Sequence, residues 1–597
     1  MQRWLIIAAV TALVAIGPGA VGAEEGLSPR DGLYELFDQI WDWQLNSFPE
    51  FATHVGVPGH DDRWTDVSLE AIAQRQRDQR RFLADLEAID RSGLDADAQL
   101  DLELIQKSLQ RTVEGFQFHP EYLAINQLGG VQQEVPQMMA SMSAKSIDDY
   151  ENRLARLRAV PVLIEQTLVL LDRGLSAGIT PPRITLRDVP QQLRNLITED
   201  PADSPIFLPF TEISDEIPAL VKTRLQRDAN RILVADVYPA YRSLLEYLEQ
   251  TYLSGARETV SQSAMPNGEN WYAHNVRYHT TTNLTPKEIH EIGLTEVKRI
   301  RREMEAIIRD LEFDGSFAEF AEFLRTDPQF YFDTQEEFLT AYRAICKRAD
   351  PELVRLFGTL PRLPYGVKAV PSYMDKSAPT AYYEPGSLAA GRPGIFLANT
   401  YDLGTRPSWE MEVLSLHEAV PGHHLQIALA QELEETHDLL KYNFYTAFVE
   451  GWGLYAESLG EEMGFYQDPY SKFGRLTYEI WRAIRLVVDT GIHALGWSRE
   501  QAIDFFKQNA PKTEHDIVVE VDRYIVWPGQ ALAYKIGELR IQGLRAQARK
   551  RLGSTFDIRS FHDQVLLRGA MPLDVLEQRL LDWIERSRQK DPKSTGT

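Results

Sequence analysis

The chain has 597 residues, of which 44% are hydrophobic and 25% charged, a composition that provides a large core with more than one subdomain and is typical of a globular enzyme. Its formal charge of −24 argues against nucleic acid as a partner, because binding to phosphate needs a basic face. Cys346 is the single cysteine, so the chain has no intramolecular disulfide and any metal site must use histidine and carboxylate side chains.

The first 23 residues have the features of a secretory signal peptide. Arg3 supplies a positive charge, the run Leu5–Ile16 is apolar apart from Thr11, and residues 21–23 are small, as at a cleavage site. The run is too short to span a bilayer as a permanent helix, and an uncleaved anchor is the alternative. No cysteine follows it, which argues against a lipoprotein. We therefore expect a periplasmic or secreted protein without a stable membrane span.

Residues 24–284 are predicted to form an N-terminal helical region. Apolar residues recur there at spacings of three and four, the period of helices that bury one face. Prolines cluster in segments 180–182 and 200–209, where helices are expected to end, and Pro161 predicts a break or kink within a longer helix. The simplest interpretation of this region is a helical scaffold. Its helical runs are Leu33–Trp43, Phe82–Ile89, Leu100–Thr112, Ile147–Leu175 and Asp215–Tyr252.

The second region, residues 285–588, opens with a helix and then changes character. Thr285 is a cap residue and Pro286 follows it at the first helical position, so a helix is predicted to run on toward Leu311. Between about residues 363 and 400, short β-prone segments bounded by proline and glycine predict a small sheet. The predicted fold class is therefore mainly α, with many helices and a small β-sheet. The strand candidates are Tyr365–Val370, Ala381–Tyr383 and Gly394–Thr400.

The most chemically dense stretch is residues 414–426, LSLHEAVPGHHLQ. In an H-E-x-x-H helix, two histidines one turn apart bind zinc at about 2.0–2.1 Å, with the glutamate as general base. Here His423 and His424 follow His417 by six and seven residues, so an unbroken helix would separate the pairs by roughly 9 and 10 Å. Pro421 and Gly422 predict a kink or bulge between them. Without those two residues the motif reads H-E-x-x-H, with His423 in the position of the second ligand. For His424 to take that position, three residues would have to loop out.

A further helix is predicted over residues 478–495. Arg485, Asp489 and His493 lie at one-turn intervals on one of its faces. The commoner arrangement of such a face is a solvated ladder of charged pairs. In the alternative interpretation, Arg485 or His493 faces a cleft and binds a substrate carboxylate or steadies a ligand. Residues 589–597 are predicted to be a polar tail.

The motif HEAVPGHHLQ and the segment AFVEGWGLYAE at residues 447–457 resemble the DUF885 family of bacterial proteins. That family is similar to gluzincin zinc metallopeptidases, notably the thimet oligopeptidase and thermostable carboxypeptidase groups. In the oligopeptidases, the third zinc ligand is the first glutamate of the pattern F-V-E-x-x-x-x-x-x-E. The resemblance therefore assigns Glu450 to the metal and Glu457 to a supporting role. It covers the chain from about residue 382 onward, and it implies a metallopeptidase-like fold whose N-terminal half forms the opposite wall of a substrate channel.

The resemblance also implies residues that bind a peptide substrate. In gluzincins, an edge strand beside the zinc helix pairs with the substrate backbone. Residues 394–399 are the candidate for this strand, with an ordinary core strand as an equal alternative. The remaining substrate-binding candidates are Tyr382 and Tyr383, expected to line the cleft, and Phe396, Ala398 and Asn399 of the strand.

A late tyrosine that stabilises the oxyanion is a further feature of the oligopeptidases. A phenol hydroxyl is a suitable neutral donor to the charge that develops on the carbonyl oxygen. Residues 530–534, which end at Tyr534, are the closest match to the Gly- and Tyr-rich helix of that group. Tyr524 is the second candidate.

The expected site therefore holds Zn²⁺ between His417, His423 and Glu450. Glu418 is expected to take the proton of the attacking water and pass it to the leaving amine. His424 and Glu457 are the candidates for orienting the ligands, with His424 also the alternative ligand.

Two functions are compatible with this reading of the sequence. The first is an exported zinc peptidase that cleaves peptides, as an oligopeptidase or a carboxypeptidase. The second is a non-catalytic binding or structural protein on a degenerate peptidase scaffold. Retention of Glu418 favours the enzyme, because a degenerate site has no need of a general base. No G-x-S-x-G or P-loop motif is present, and the dinucleotide-like pattern Gly451-x-Gly453-x-x-Ala456 lacks a preceding strand.

Overall fold

The computed structural model describes residues 28–372, 375, 378–388 and 391–589. The predicted signal peptide and residues 590–597 of the predicted tail lie outside this part of the chain. Within it, the predicted fold class is confirmed, because helices dominate and one three-stranded sheet interrupts them. Short 3₁₀ and π turns connect several of the helices.

The first four helices contain the predicted apolar runs of residues 33–112. Helix α1 begins after Ser28, whose hydroxyl accepts a hydrogen bond from the backbone N–H of Asp31, and it buries Leu33, Phe37 and Ile40. The one-sided burial follows from the three- and four-residue spacing of these side chains. The four helices are α1 Pro29–Ser47, α2 Pro49–Val55, α3 Leu69–Glu87 and α4 Ala96–Gly115.

The next group of helices forms a separate bundle. Helix α6 runs through Pro161 without ending there, so of the predicted break or kink the break is wrong. The helix instead begins at a capping box of Ser146 and Asp149 and ends at Gly178, which adopts a left-handed conformation. The group comprises α5 Val131–Ser141, α6 Ile147–Ala177, α7 Arg183–Leu186, α8 Val189–Leu196, α9 Ala219–Ile232, α10 Tyr238–Tyr247 and α11 Leu253–Gly255.

A third group leads to the sheet. Helix α13 begins as predicted, because the Thr285 hydroxyl accepts from the Glu288 N–H while the Glu288 carboxylate accepts from the Thr285 N–H. The third group comprises α12 Gly268–Thr280, α13 Pro286–Asp310, α14 Phe317–Thr326, α15 Gln335–Ala349 and α16 Leu353–Leu356.

The three strands are β1 Tyr365–Ala369, β2 Ala381–Glu384 and β3 Gly394–Ala398. Their order is β1-β3-β2, with β3 parallel to β1 and antiparallel to β2. Strand β3 is therefore the central strand, and its assignment as an edge strand that pairs with substrate is wrong. Both of its edges already carry a partner strand, so its backbone has no free edge to offer a peptide.

The last group of helices carries the motif and encloses it. Helix α21 packs along α13, and α24 packs along α20. The group comprises α17 Met411–Glu418, α18 His423–Gln431, α19 Asp438–Lys441, α20 Thr446–Leu459, α21 Pro469–Ala494, α22 Arg499–Asn509, α23 Glu514–Val526, α24 Ala533–Leu552, α25 Ile558–Leu566 and α26 Leu573–Gln589.

The hydrophobic cores are distributed differently from the two regions read from the sequence. Side chains of residues 125–256 form a core of their own. Side chains of residues 33–109, in contrast, share a core with side chains of residues 338–584, including those around the motif. The first helices thus pack onto the motif-bearing half of the chain. In the described part of the protein, no helix has both the length and the apolar character needed to cross a bilayer.

Candidate metal centre

The motif helix is interrupted between Glu418 and His423. Helix α17 ends at Glu418 and α18 begins at His423, and the peptide bond between Val420 and Pro421 is cis. A hydrogen bond connects the interruption to helix α20, because the Trp452 indole N–H donates to the Pro421 carbonyl at 2.9 Å. The loop that proline and glycine predict is therefore present.

Gly422 allows the loop to be this tight. A Cβ atom at this position would lie 1.9 Å from the carbonyl oxygen of His417. No side chain fits that space without a backbone shift, so the close return of the chain depends on glycine. The return brings the ring of His423 to 4.6 Å from the ring of His417, measured between centroids.

Three side chains converge at the interruption. One ligand atom from each of His417, His423 and Glu450 lies within 4.8 Å of the others. The Glu450 Oε2 atom is 3.4 Å from His423 Nε2 and 3.8 Å from His417 Nε2. Donors bound at about 2.0–2.1 Å to a tetrahedral zinc ion lie about 3.3–3.4 Å apart. The 3.4 Å distance matches this spacing, the 3.8 Å distance is longer, and histidine and glutamate are usual zinc donors, so the cluster is compatible with zinc.

Glu457 orients the His417 ring through Nδ1, the ring nitrogen that does not face Glu450. Its Nδ1–H donates to Glu457 Oε1 at 2.8 Å, which leaves Nε2 directed at Glu450. Arg482 lies 3.2 Å from the same Glu457 oxygen and neutralises this buried carboxylate. Arg482 was not among the site residues predicted from the sequence, although an arginine between Trp481 and Ala483 was a signal of a buried partner.

The charges around the two histidines favour a cation. Burial lowers the pKa of His417, but hydrogen bonds to Glu450 and Glu457 outweigh it and raise that pKa to about 9. Burial raises the pKa of Glu450, yet its hydrogen bonds to His417 and His423 hold it well below the usual range. The site therefore stabilises positive charge between these side chains.

Glu418 is the last residue of α17 and adjoins the cluster. It is buried, with 8% of its surface exposed. Its carboxylate makes no hydrogen bond or ion pair with another described residue, in contrast to Glu450 and Glu457. A carboxylate without a structural partner next to two candidate metal ligands is a candidate general base.

His424 points away from the cluster, so its assignment as an alternative ligand or ligand-orienting residue is wrong. Its Nδ1 atom lies 2.9 Å from the Tyr383 hydroxyl, and its Nε2–H donates to the Leu363 carbonyl at 3.0 Å. Burial lowers the pKa of His424 to about 4, which agrees with a neutral ring bonded at both nitrogens. His424 connects α18 to the sheet.

Two glycines of α20 allow close packing around Glu450, the third candidate ligand. A Cβ atom on Gly453 would lie 2.8 Å from Cε1 of His417, so the imidazole rests directly on the helix backbone. A Cβ on Gly451 would lie 2.5 Å from the Cα of Gly537, so α20 and α24 cross in close contact. The glycines that resemble a dinucleotide fingerprint therefore serve helix packing around the candidate metal centre.

Replacement of Gly453 by Ala is expected to lower zinc affinity at least about tenfold, because the added methyl group displaces the His417 ring. Competition with a zinc chelator measures this change. Gly543→Ala is the matched control, since nothing lies within 4 Å of a Cβ at that helical position. We expect the control to keep its zinc affinity, and equal affinities in the two variants would contradict the predicted role of Gly453.

Tyr534 and Tyr524 differ in how their hydroxyls are used. The Tyr534 hydroxyl accepts from Arg523 at 3.0 Å, and its own proton remains available for donation. The Tyr524 hydroxyl accepts from Trp481 and Arg485 and donates to Glu520. Tyr524 is therefore fully bonded in a buried network, and only Tyr534 has a hydroxyl proton free for a substrate.

Tyr534 also lies on α24, the helix that packs against α20 and its Glu450. It is one turn before Gly537, which contacts Gly451 next to Glu450. Arg485 lies 4.4 Å from the centroid of the Tyr534 ring and fixes its plane.

Arg485, Asp489 and His493 form neither a solvated ladder nor a cleft-lining face. All three are buried. His493 accepts from the Gln262 N–H at Nδ1 and donates from Nε2 to the Tyr524 carbonyl, so it is a structural residue. Arg485 binds Glu520 and Tyr524 rather than Asp489. Both predicted interpretations of this face are wrong, because every residue of α21 from Leu476 to His493 is buried.

Asp489 accepts hydrogen bonds from the Tyr272 hydroxyl and the Gly529 N–H. Burial outweighs these bonds and raises its pKa from 3.8 to about 7. Between pH 3.8 and about 7, the Asp489 carboxyl is deprotonated in the unfolded chain but protonated in the folded protein. The stability of the folded protein therefore falls as the pH rises from about 4 to 7.

We expect Asp489→Asn to remove this pH dependence, because the amide keeps an acceptor oxygen but does not ionise. Relative to the variant, the wild type should lose up to roughly 4 kcal/mol of unfolding free energy between pH 4 and 7.5. Urea unfolding at several pH values measures the difference. The exposed Asp85→Asn change is the control, and parallel curves for wild type and Asp489→Asn would contradict the prediction.

The predicted substrate-binding residues of the sheet are mostly structural. Phe396 packs edge-on against Tyr342, and Ala398 is fully buried. Asn399 donates to backbone carbonyls of the preceding loop and accepts from the Tyr401 N–H. The assignment of these three residues to substrate is therefore wrong.

The two tyrosines of β2 lie on opposite faces of the sheet. Tyr383 contacts His424 on the face toward the motif helices, whereas Tyr382 lines a cavity on the other face. The alternation follows from the two-residue repeat of a strand.

Comparisons with known proteins agree on the fold. The family described as "Bacterial protein of unknown function (DUF885)" matches residues 49–580. The "putative lipoprotein from Colwellia psychrerythraea" is similar in crystal structure, with a TM-score of 0.90, 29% identity, and coverage of 94% of this chain and 100% of that one.

A "putative lipoprotein of unknown function from Shewanella oneidensis" has a TM-score of 0.68 and 18% identity, with coverage of 93% of this chain and 100% of that one, and is evidence for the fold alone. No curated protein matches this chain. Because the family match spans most of its length, the chain belongs to the DUF885 family.

Proposed function

We infer that this protein is a zinc-dependent peptidase that hydrolyses peptide bonds. The observation that carries the proposal is the convergence of His417 Nε2 and His423 Nε2 on one oxygen of Glu450, at a spacing compatible with zinc. The uncommitted carboxylate of Glu418 beside these donors supports a catalytic role rather than a purely structural metal site. The resemblance to gluzincin metallopeptidases supports peptides as the substrate class.

The residues of this chain have distinct roles in the proposed reaction. Bound zinc supplies Lewis acidity that polarises the scissile carbonyl and makes water more acidic. Glu418 accepts the proton of the attacking water and transfers it to the leaving amine. Glu457 holds His417 in the tautomer that presents Nε2, and Arg482 forms an ion pair with Glu457. The Tyr534 hydroxyl donates to the carbonyl oxygen as negative charge develops on it.

Export is part of the proposal. The apolar run Leu5–Ile16 and the small residues 21–23 support it. The proposed site of action is the periplasm or the outside of the cell.

Zinc content and peptide cleavage together test the proposed function. We expect purified protein to contain about one zinc ion per chain and to cleave peptides, because the cluster offers one complete set of donors. Chelation should abolish cleavage, and added zinc should restore it. Inert protein that does not bind zinc would overturn the proposal and favour a non-catalytic scaffold.

Replacing Tyr534 by Phe should lower kcat about 100- to 1000-fold with little change in KM, because the hydroxyl acts only as charge develops on the carbonyl oxygen. Steady-state kinetics on one peptide measure both constants. The control is Tyr241→Phe, which removes a buried hydroxyl that donates to the Val131 carbonyl in the separate bundle. We expect the control to keep its kcat, and an unchanged kcat in Tyr534→Phe would remove this residue from the mechanism.

A further inference from the structure

A large cavity lies on the face of the sheet that is turned away from the motif helices. Its volume is about 1220 Å³, and it is enclosed by α1, α2, α5 and the loop between α2 and α3 on one side and by the sheet on the other. The apolar side chains Phe48, Phe51 and Trp64 form part of the opposite wall. Ligand pockets commonly have volumes of about 300–1000 Å³ and mostly apolar walls with a few polar groups. The cavity is therefore large enough for an extended ligand.

Five charged side chains line the cavity, and three of them are committed to partners within the protein. Glu50 accepts from the N–H and the hydroxyl of Thr65. Glu134 accepts from the Gly130 N–H. Arg392 donates to the His54 carbonyl. These three groups have structural roles.

The remaining two charges, Lys368 and Glu384, form no ion pair or hydrogen bond through their side chains with another described residue. Lys368 lies on β1 and Glu384 on β2, the two outer strands. Between them, β3 contributes the apolar side chains of Ile395 and Leu397 to the same face. The floor of the cavity is thus an apolar strip with one positive and one negative charge at opposite corners.

The register gives the separation of the Cβ atoms from which the two charged side chains extend. Lys368 is paired with Leu397, and Glu384 with Ile395, so the two charged residues are two strands and two residues apart. With strands about 4.8 Å apart and a rise of about 3.3 Å per residue, their Cβ atoms lie roughly 12 Å apart. The ends of an extended peptide of three or four residues are separated by roughly 10–14 Å.

We propose that this cavity binds a short peptide of three or four residues with free ends and apolar side chains. Glu384 binds its ammonium group, and Lys368 binds its carboxylate. The apolar strip and the aromatic wall contact its side chains.

The peptide site is separate from the candidate metal centre. The sheet lies between them, because Tyr383 faces His424 of α18 and its paired residue Phe396 faces α15, while Tyr382 and Leu397 face the cavity. The cavity and the spacing of its charges indicate a zwitterionic ligand independently of the proposed function. The choice of a peptide as that ligand rests on the proposed function.

Calorimetry on the full-length protein with its metal chelated tests the proposal, because hydrolysis cannot then interfere. The probes are the tetrapeptide Ala-Phe-Leu-Ala, its N-acetylated form and its C-amidated form. We expect the free peptide to bind at one site per chain and each blocked form to bind at least about fivefold more weakly, as loss of one partly exposed ion pair predicts. Absence of binding, or equal binding of all three forms, would overturn the proposal.

Two variants assign each end of the peptide. Glu384→Gln should weaken binding of the free peptide at least about fivefold but leave binding of the acetylated peptide unchanged, and Lys368→Met should do the same for the amidated peptide. Lys298→Met, an exposed change on α13, is the control. If blocking an end weakens binding equally in wild type and variant, the proposed contact is wrong. If the protein cleaves peptides with zinc but blocking the peptide ends has no such selective effect, only the proposed peptide site is contradicted. If the selective effect is seen but the protein does not cleave peptides, only the proposed peptidase function is contradicted.

Discussion

Replacement of Glu418 by Gln is expected to lower kcat for peptide hydrolysis by about 100- to 10,000-fold, the usual contribution of a general acid–base group. The amide has nearly the same size but does not accept a proton from water. Glu418 is outside the group of metal donors, so the variant should retain its zinc. Steady-state kinetics and elemental analysis of the same preparation measure the two quantities.

The control for this change is Glu435→Gln, at an exposed position that forms no ion pair with another described residue. We expect the control to keep both its zinc and its activity. Full activity in Glu418→Gln would exclude this glutamate as the proton acceptor. Loss of zinc in the same variant would instead indicate that Glu418 is a ligand.

Replacement of Glu450 by Gln is expected to reduce zinc affinity more than about 100-fold and to abolish hydrolysis. The change removes the one carboxylate on which both histidines converge. A carboxamide oxygen carries no net charge and is the poorer ligand for zinc. Chelator competition measures the affinity, and circular dichroism shows whether the variant remains folded.

Glu457→Gln provides a graded comparison, because Glu457 contacts His417 rather than the metal position. Loss of such a partner typically lowers metal affinity about 10- to 100-fold. The variant should also be less stable, since Arg482 loses a buried carboxylate partner. A larger loss of zinc in Glu457→Gln than in Glu450→Gln would show that the two roles are reversed.

Features that depend on neighbouring residues were predicted well. The cap at Thr285 and the interruption at Pro421 and Gly422 lie where the sequence indicates them. His417, His423 and Glu450 also come together as the motif and the resemblance imply, although their role in zinc binding stays a prediction. The cap and the interruption are readable because capping and loop formation involve residues within one or two helical turns, whereas Glu450 was identified through the resemblance.

Contacts between distant residues outside this cluster were not predicted. The sequence contains the strand segment 394–398 but not its central position, which is decided by pairing with two strands from earlier in the chain. The direction of His424 depends on Tyr383 and Leu363, and the burial of His493 depends on Gln262 and Tyr524. Such contacts have no local signature, because helix and strand periods indicate only which face is apolar.

By itself, the sequence determined the helical character of the chain, the candidate donor residues of the motif and the glycine that allows the motif to fold back. Only the tertiary structure decided which histidine nitrogens face Glu450, why Gly453 bears no side chain and which face of the sheet borders a cavity. The physical reason is that backbone preferences act between neighbours in the chain, whereas ligand geometry and cavities arise from close packing between elements that are far apart in sequence.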